Sequence, residues 1–447
     1  MSKTSKSHFR LLYGILMAFL FFVLTSCSKD NPVDSGGANA KVAGKVTSDS
    51  GLYKSLQKSS GIESSQGISG ATVVLAQVQA DGSLKTVSTQ SVQTDVNGNF
   101  TVETNLSGAQ NLVVVATKST SQWKAVVYSQ VSSNTTVYCQ PVNTQTTAQA
   151  DVYSQIVLSG QANTVSTADL QMYLNSSVAA QISSSTTAKS QYASCLATES
   201  QVRTQASSHT YFGISSSQLQ TIENARAQAS VALQSSLYSH ADSQSSASQD
   251  FQTYQRACIN AYTSASVKLE NYAKLLRISS RAYISQSAQM SSSAYFSAAQ
   301  SINAYLAIAL RSAVEAKFQE AGASSAQIST VTNAGAALSA SISSATTVSQ
   351  MNDAYVQYHN TIVAQLKIVL SAYASLIDSI DTSINGTTGA KATLNTALSG
   401  TFSTSLFINA YTSFYSALAA AVQTTLTGAT SAQVSNATEL LILANMN

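Results

Sequence analysis

The cysteine side chains that could hold a metal or form disulfides are few and widely spaced. Of the four cysteines, Cys139, Cys195 and Cys258 lie far apart, with no Cys-x-x-Cys spacing and no neighbouring pair of histidines. A structural zinc site needs closely spaced sulfur or imidazole ligands. The sequence therefore predicts no metal site. Buried, small hydrophobic cysteines are favoured over a Cys195–Cys258 disulfide.

The histidines do not complete a catalytic motif. His209, His240 and His359 lack the Glu, three residues on, of a His-x-x-Glu zinc peptidase. No nucleophile–base pair, phosphate-binding loop or pair of carboxylates stands out along the chain. We therefore predict a protein that is not an enzyme, with no catalytic residues and no cofactor.

The segment Asp95-x-Asn97-Gly98-Asn99 has two interpretations. Its oxygen-bearing side chains fall at alternate positions, as in calcium-binding loops. The twelfth position, where a calcium loop has a bidentate Glu, is Leu106. A hairpin turn is therefore favoured over a cation site.

A second possible binding surface is basic and aromatic. Lys268, Lys274, Arg277 and Arg281 partly share one face of a predicted helix that also carries tyrosines. Such a face could meet an anionic glycan or a lipid headgroup, but a solvated face is favoured. Most tyrosines fall at core-like positions, so we expect buried rings with outward-reaching hydroxyls, and we expect Trp123 to be buried rather than a sugar platform.

Composition excludes one class of partner. The chain has 447 residues, enough for more than one domain, and only 10% of them are charged. The net charge is +3. Because nucleic-acid binding depends on a surplus of Lys and Arg, no nucleic-acid partner is predicted.

The N-terminal segment has the layout of an export signal. Basic residues precede an apolar run over 11–24, whose last residue begins the stretch Leu24-Thr25-Ser26-Cys27. This layout resembles the signal peptide and lipobox of bacterial lipoproteins. The resemblance implies that 1–26 is removed and that Cys27 is acylated, for example with palmitate, which anchors the protein in a membrane. Ser28 resembles the residue found there in lipoproteins of the outer membrane. We therefore predict a protein of the bacterial cell envelope that is anchored in the outer membrane; the sequence does not decide whether it faces the periplasm or the cell surface.

The segment 27–40 is predicted to be a flexible tether, and 41–140 has the two-residue period of β-strands. The turn pairs Asp81-Gly82 and Asn97-Gly98 separate six or seven short β-rich runs. A Ser/Gly/Lys-rich insertion over 48–69 is predicted to be a mobile loop. The region is therefore predicted to form a β-sandwich that folds by itself.

The same region resembles the carboxypeptidase regulatory-like domain. The residues that carry the resemblance are Val42-x-Gly44-x-Val46, Ile68-Ser-Gly-Ala71-x-Val73-x-Leu75, Thr94-Asp95-x-x-Gly98-x-Phe100 and Leu112-x-Val114-x-Ala116. The resemblance implies a transthyretin-like β-sandwich, within the carbohydrate-binding-like folds. The catalytic part of a zinc carboxypeptidase is not encoded beside it.

Beyond a linker over 141–165, the segment 166–447 is predicted to be an elongated, antiparallel α-helical bundle. No proline follows Pro141, and apolar residues recur every three or four positions. One such stripe runs from Met351 to Ile380 and predicts a single helix of about nine turns. The fold class is therefore a multidomain β plus α chain.

The helical segment is predicted to contain a duplication, over 213–321 and 322–427. The phrase Gly-x-Ser/Thr-Ser/Thr-x-Gln begins at Gly213, Gly322 and Gly428. We expect the glycine to end one helix and the Ser or Thr to cap the next. An Ile-Asn-Ala-Tyr match predicts that Ile302 and Ile408 are equivalent and that the asparagines after them share one role.

These observations predict a non-catalytic, membrane-anchored lipoprotein that acts as a binding or structural module at the cell envelope. Its predicted partners are the membrane, through the lipid on Cys27, and a glycan or an envelope protein. The alternative is a carbohydrate-binding lipoprotein that captures glycans for uptake. The sequence does not identify the ligand.

Overall fold

The structure is a computed structural model that describes residues 39–48, 66–108, 111–241 and 243–446. The predicted signal peptide, Cys27 and the tether up to residue 38 lie outside these residues, as does most of the predicted loop. The chain from Asn39 onwards forms one compact unit. A small β region comes first, and a mostly helical region follows.

The β region contains short strands at nearly all the predicted positions. The strands are β1 (Ala40–Lys45), β2 (Thr72–Val78), β3 (Leu84–Thr86), β4 (Val92–Gln93), β5 (Asn99–Thr104), β6 (Leu112–Lys118), β7 (Ser121–Val127) and β8 (Thr136–Tyr138). One of the predicted β-rich runs, over 86–92, does not form a single strand, so this part of the prediction is wrong. The hydrogen-bond partner of this segment changes from β2 to β5, because the Val87 amide donates to the Leu75 carbonyl and the Thr89 amide donates to the Glu103 carbonyl.

The strands form two sheets. In the first, β1 lies between β5, which is antiparallel to it, and β8, which is parallel. The second has the antiparallel order β3-β2-β6-β7, and β4 also pairs with β2. The register places Leu75 opposite Val114, and Val114 opposite Ala125.

Both faces of the second sheet are covered. One face, with Val73, Leu75 and Val114, shares a core cluster with Val42 and Val102 of the first sheet. Successive side chains on a strand point to opposite faces. The alternate residues therefore point the other way and join the core of the helical region; they are Ala76, Val78, Val113, Val115 and Val126.

Gly44 shows how tightly the first sheet packs. A Cβ atom at this position would lie 2.4 Å from Cys139 Sγ and 2.5 Å from the Phe100 ring. Only glycine leaves room for both neighbours. The glycine of the Val42-x-Gly44-x-Val46 motif is therefore required by packing.

The helical region contains helices of very different lengths. They are α1 (Thr144–Leu158), α2 (Thr167–Tyr173), α3 (Ser176–Ile182), α4 (Thr186–Ser208), α5 (Ser216–Ser239), α6 (Gln244–Ser264), α7 (Leu269–Ser287), α8 (Ser292–Glu320), α9 (Ser325–Ser344), α10 (Val348–Val369), α11 (Ala374–Asn385), α12 (Ala390–Leu398), α13 (Thr404–Thr425) and α14 (Ser431–Ala444). A 3₁₀ turn, Ser371–Tyr373, lies between α10 and α11.

The segment 141–165, expected to be a linker, contains α1. Asn143 begins this helix in a capping box with Thr146. The helix packs on β7, where Lys124 forms a 2.9 Å ion pair with Asp151. The Lys124 amide also donates to the Thr147 hydroxyl at 2.9 Å. This helix therefore joins the β region to the other helices.

The single nine-turn helix predicted from Met351 to Ile380 is wrong. The backbone leaves the helical conformation at Leu370, with φ −110° and ψ 52°, and the helices on either side meet at 109°. No glycine or proline marks this break. The bend allows Lys367 to form a 2.7 Å ion pair with Asp378, and it places apolar residues of both α10 and α11 in the core.

The three repeated phrases are confirmed as helix starts. Ser215, Ser324 and Thr430 each form a capping box with the glutamine three residues later. Gly322 follows Ala321, the C-cap residue of α8, and has a left-handed conformation with φ 76°. Gly213 and Gly428 also have positive φ, but they lie further from the preceding helix ends.

One helix has the length and hydropathy of a membrane span. Among the described residues, α13 passes this test by itself, and the bent α10–α12 pair passes it if taken as one span. The apolar side of α13 packs within the protein, because Phe407, Tyr411 and Leu418 belong to the helical core.

Candidate functional site

The Asp95 segment forms a tight turn, as favoured over a cation site, but the predicted hairpin is wrong, because β4 pairs with β2 in one sheet and β5 pairs with β1 in the other. The Asp95 carboxylate accepts the amides of Asn97 and Asn99 at 2.8 Å each, and the Asn99 side-chain amide at 3.0 Å. Gly98 has φ +80°, a conformation in which glycine is favoured. The hydrogen bonds from Asn99 lower the pKa of Asp95. Its oxygens are therefore occupied within the turn.

The three described cysteines are buried free thiols, which confirms the preference for small hydrophobic residues over a disulfide. Burial raises the pKa of Cys139 and of Cys195 to about 12. Burial also raises the pKa of Cys258, although Arg226 opposes the shift. At neutral pH these thiols are protonated and unreactive. The predicted lipidation residue, Cys27, lies outside the described residues.

The histidines bind separate partners. His240 contacts Asp250 at 2.7 Å, and His359 contacts Asp381 at 3.0 Å. His209 accepts the Tyr211 amide at 3.2 Å. Within the part of the chain that the structure describes, no group of three or more His, Cys, Asp or Glu side chains could hold a metal ion.

The solvated basic face expected on α7 is wrong for two of its four residues. Lys268 is exposed and Arg281 is half-buried, but Lys274 is 1% exposed and Arg277 is 4% exposed. The reason is that α7 lies among α4, α6, α8, α13 and α14, so its middle turns are covered all round.

The ammonium group of Lys274 lies in a cage of aromatic rings from the same chain. Its Nζ lies 4.9 Å from the centre of the Tyr211 ring and 6.0 Å from those of Phe212 and Tyr415. It also forms a 3.0 Å ion pair with Glu439 of α14. Burial lowers the pKa of Lys274, and Glu439 opposes that shift. The cage therefore holds an internal cation and fixes α14 against α7.

A buried network of carboxylates and guanidiniums joins three further helices. Asp169 of α2 accepts both terminal nitrogens of Arg203 of α4, at 3.2 and 2.9 Å. The same carboxylate accepts a nitrogen of Arg226 of α5, whose other terminal nitrogen donates to Glu223 at 2.8 Å. Arg203 also donates to Glu199 at 3.3 Å. Charges of opposite sign thus alternate along the network.

The two fully buried acids of this network have opposite pKa shifts. Burial opposes ionisation of Asp169, but Arg203 and Arg226 outweigh it and hold the pKa at about 2. Burial raises the pKa of Glu199, and the Asp169 charge adds to that effect. Glu199 Oε1 accepts the Ser279 hydroxyl of α7 at 2.7 Å, whereas its Oε2 is buried with no hydrogen-bond partner.

Buried tyrosines surround the network, and the expectation that their hydroxyls reach outwards is wrong. The Tyr192 hydroxyl donates to the Tyr173 carbonyl at 2.7 Å, and Tyr254 donates to Ala168 at 2.8 Å. The Tyr272 hydroxyl donates to that of Tyr305 at 2.6 Å. The hydroxyls point inwards because a helical interior offers carbonyl and hydroxyl partners there.

The expectation for Trp123 holds in part. Its indole is half-buried and packs against the core shared by the two sheets.

The sequence carried a weak signal for the network. Glu199 and Arg203 are four residues apart, and Glu223 and Arg226 are three apart, so each pair shares a helix face. In a chain with only 10% charged residues, such pairs are conspicuous. Asp169, which links them, has no sequence-local partner.

No protein-family model, curated protein or solved structure matches this chain.

The buried charge network holds α2, α4, α5 and α7 together. Asp169, Arg203 and Arg226 neutralise one another over α2, α4 and α5, and Ser279 extends the network to α7 through Glu199. Removal of one partner from such a network leaves an uncompensated buried charge. The network therefore stabilises one packing of these helices.

Proposed function

We propose that this chain is a non-catalytic lipoprotein of the bacterial cell envelope, anchored in the outer membrane through an acylated Cys27, and that it acts as a binding or structural module. The observation that carries the proposal is the run of Leu-Thr-Ser-Cys directly after a basic and then apolar segment. More than one acyl chain on one residue gives durable anchoring, because each buried methylene contributes about 0.8 kcal/mol.

Features of the part of the chain that the structure describes favour a structural role. The charged side chains inside the helical region pair mainly with one another, as Asp169 does with Arg203 and Lys274 with Glu439. These pairs connect helices that are distant in sequence. A rigid body of this kind suits a module that presents a surface at the envelope.

Replacement of Cys27 tests the anchor. In cells fed a palmitate analogue, the wild-type protein should carry the label and sediment with membranes. The variant Cys27→Ser should lose the label and either stay uncleaved or leave the membrane fraction. The matched control is Cys195→Ala, since Cys195 is buried and should keep the label at Cys27. Labelling of Cys27→Ser at the wild-type level would overturn the proposal.

The finer fold assignments belong to the same proposal. We propose that the β region is a transthyretin-like sandwich of the carboxypeptidase regulatory-like type and that 166–447 is an elongated antiparallel bundle. The core shared by the two sheets and the packing of Gly44 support the sandwich.

A fragment experiment tests the sandwich. We expect fragment 39–158 to give a mixed β and α circular dichroism spectrum and a cooperative melt. Fragment 39–140 lacks α1, which packs on β7, so it should melt at a lower temperature or associate. A disordered spectrum for fragment 39–158 would contradict an autonomous sandwich.

A second candidate function is carbohydrate binding, and one observation favours it. Tyr138 of β8 and Tyr238 of α5 are stacked, with ring centres 4.7 Å apart. Tyr138 is 38% exposed, so part of the pair faces solvent, where a sugar could stack on it. Binding of the full protein to a glycan array, and its loss in Tyr138→Ala, would support this function. Identical binding by Tyr138→Ala would contradict this site.

A further inference from the structure

Six buried tyrosines form a continuous row through the helical region, which we call the tyrosine relay. In spatial order they are Tyr192, Tyr283, Tyr173, Tyr305, Tyr272 and Tyr262. None of the six is more than 3% exposed. The relay takes its members from α2, α4, α6, α7 and α8, so it arises from the packing of five helices and from no single helix pattern.

One arm of the tyrosine relay leads to its middle through ring contacts. The ring centres are 5.9 Å apart between Tyr192 and Tyr283 and 6.2 Å apart between Tyr283 and Tyr173. The ring centre of Tyr305 lies 5.9 Å from that of Tyr173. These separations are those of aromatic side chains in contact. An electron can pass between rings in contact without an intervening cofactor.

The other arm leads towards the surface. The Tyr272 hydroxyl donates to the Tyr305 hydroxyl at 2.6 Å, and the Tyr272 ring stacks on that of Tyr262 with centres 3.8 Å apart. Tyr262 directly precedes Thr263 and Ser264, which are exposed at the end of α6. The relay therefore has one end beside an exposed turn of the backbone.

Tyr173, in the middle of the relay, has a carboxylate as its proton acceptor. Its hydroxyl donates to Glu199 Oε1 at 3.5 Å. Burial raises the pKa of Glu199 and makes it a stronger base, although Arg203 at 3.3 Å opposes the shift. The Tyr192 hydroxyl donates to a backbone carbonyl, and the Tyr272 hydroxyl donates to another tyrosine. Because a phenol that loses an electron becomes a strong acid, a neighbouring carboxylate eases its oxidation.

A second group of buried tyrosines has different surroundings. The ring centres of Tyr211 and Tyr415 are 5.8 Å apart, and the Lys274 ammonium lies 4.9 Å and 6.0 Å from them. A positive charge that faces a ring opposes the removal of an electron from that ring. The Tyr415 hydroxyl donates to the neutral Lys274 carbonyl at 3.4 Å. This pair is therefore a poor place for a radical, although its rings are equally close.

We propose that the tyrosine relay carries one-electron oxidation from the protein surface into the helical region and that Tyr173 holds it as a buried neutral radical. An external one-electron oxidant, such as a peroxyl radical, takes an electron from the relay and is itself reduced. The hydroxyl proton of Tyr173 passes to Glu199, which becomes a neutral carboxylic acid. No bond between heavy atoms forms or breaks, and a one-electron reductant reverses the step. The site is independent of the lipid anchor and goes beyond the proposed function.

Flash photolysis of the full-length protein in detergent tests the relay. The probe oxidant is a photo-oxidised ruthenium tris-bipyridyl complex, with a cobalt(III) ammine as the electron acceptor. We expect a long-lived tyrosyl signal in electron paramagnetic resonance that changes shape when the tyrosines are ring-deuterated. Radicals on exposed tyrosines such as Tyr138 decay by coupling between molecules, so the signal that persists reports the buried site.

Two variants locate the radical. Tyr173→Phe keeps the ring but removes the hydroxyl, and it should lose most of the long-lived signal. Glu199→Gln removes the base and should slow radical formation by about tenfold or more, since a positioned base contributes about 10²–10⁴-fold to a proton transfer. The matched control is Tyr415→Phe, which removes the hydroxyl of an equally buried tyrosine and should leave the signal and the rate unchanged.

Melting curves of the same variants separate a radical site from a structural role. A purely structural role for Tyr173 predicts a lower melting temperature with an unchanged radical yield, and this result would overturn the proposal. If Tyr173→Phe does not fold, Glu199→Gln decides, because it keeps the size of the side chain. The proposal is also overturned if no long-lived tyrosyl signal forms, if Glu199→Gln forms it at the wild-type rate, or if Tyr415→Phe loses it equally.

Discussion

The two halves of the predicted duplication, 213–321 and 322–427, begin in the same way but have different interiors. Both begin with a capping box, at Ser215 and at Ser324. Among its described residues, the first half buries five charged side chains, which are Arg226, Glu270, Lys274, Arg277 and Lys317. Among residues 322–427, all of which the structure describes, Thr412 is the one buried polar residue apart from tyrosines.

The asparagines of the Ile-Asn-Ala-Tyr match show the difference most directly, and they contradict the expectation of a shared role. Asn303 is buried, donates to the Ala299 carbonyl at 2.8 Å and accepts the Tyr355 hydroxyl at 3.0 Å. Asn409 is exposed. Ile302 and Ile408 are both buried. Whether the two halves superpose stays a prediction.

The comparison separates features that depend on local sequence from features that depend on packing. A capping box depends on residues three apart, so it forms wherever the phrase occurs. A buried polar side chain depends on partners from other helices. In the first half these partners come from α2, α4, α10 and α14, which surround it. The second half lies beside fewer polar partners and has an apolar and tyrosine-rich interior.

The largest expected effect is on the charge network beside the first half. Asp169→Leu leaves Arg203 and Arg226 buried without their shared acid, so we expect a loss of about 3–5 kcal/mol in the free energy of unfolding. Urea denaturation of the full-length protein measures it. In the second half, Lys367→Met removes an ion pair with the half-exposed Asp378, and the loss should stay below about 1 kcal/mol. Equal losses would mean that the interiors do not differ in this way.

A smaller effect is expected from pH. The pKa of Asp169 is held at about 2, below its ordinary 3.8. A carboxyl group whose pKa is lowered in the folded state stabilises the fold at pH values above its ordinary pKa. This contribution disappears as the pH falls towards 2. We expect roughly 2 kcal/mol to be lost in this window. Glu199 acts in the opposite sense, since its raised pKa lowers stability as the pH rises past 4.5.

The measurement is the free energy of unfolding between pH 5 and 2.5. Asp169→Asn should flatten its slope, whereas Asp378→Asn in the second half should leave it unchanged. An unchanged slope in Asp169→Asn would show that other carboxylates cause the acid sensitivity.

The two asparagines give a matched pair of intermediate size. Asn303→Leu leaves the buried Tyr355 hydroxyl without its acceptor, so we expect a loss of about 1–3 kcal/mol. Asn409→Leu changes an exposed residue and should stay within about 0.5 kcal/mol of wild type. Denaturation curves of the two variants test this, and an equal loss would restore the shared role that the sequence predicted.

Local sequence patterns predicted the elements well. The strands β2 and β6 and the capping boxes depend on neighbouring residues. They lie close to where the motifs over 68–75 and 112–116 and the repeated phrases place them. The break at Leu370 could not be predicted in this way, because it has no glycine or proline and the apolar period continues across it.

The sites were less predictable, for a physical reason. Lys274 and Glu439 are 165 residues apart, and Asp169 and Arg226 are 57 apart. A helix pattern shows which face a basic residue shares but not whether another helix covers that face. The burial of Arg277 likewise becomes visible only in the packed structure.

The smallest expected effect concerns the capping boxes of the repeated phrases. Each cap side chain accepts the backbone N–H of the glutamine three residues on, and this bond is removed in Ser215→Ala, Ser324→Ala and Thr430→Ala. Each variant should therefore lose about 1 kcal/mol in the free energy of unfolding. Denaturation curves of the three variants should agree within a few tenths of a kcal/mol, because the cap is local and exposed. The control is Ser325→Ala, directly after a cap, which should change little. A loss confined to Ser215→Ala would show that this cap acts through the polar interior of the first half. The three repeated phrases would then differ in their contribution to the free energy of unfolding.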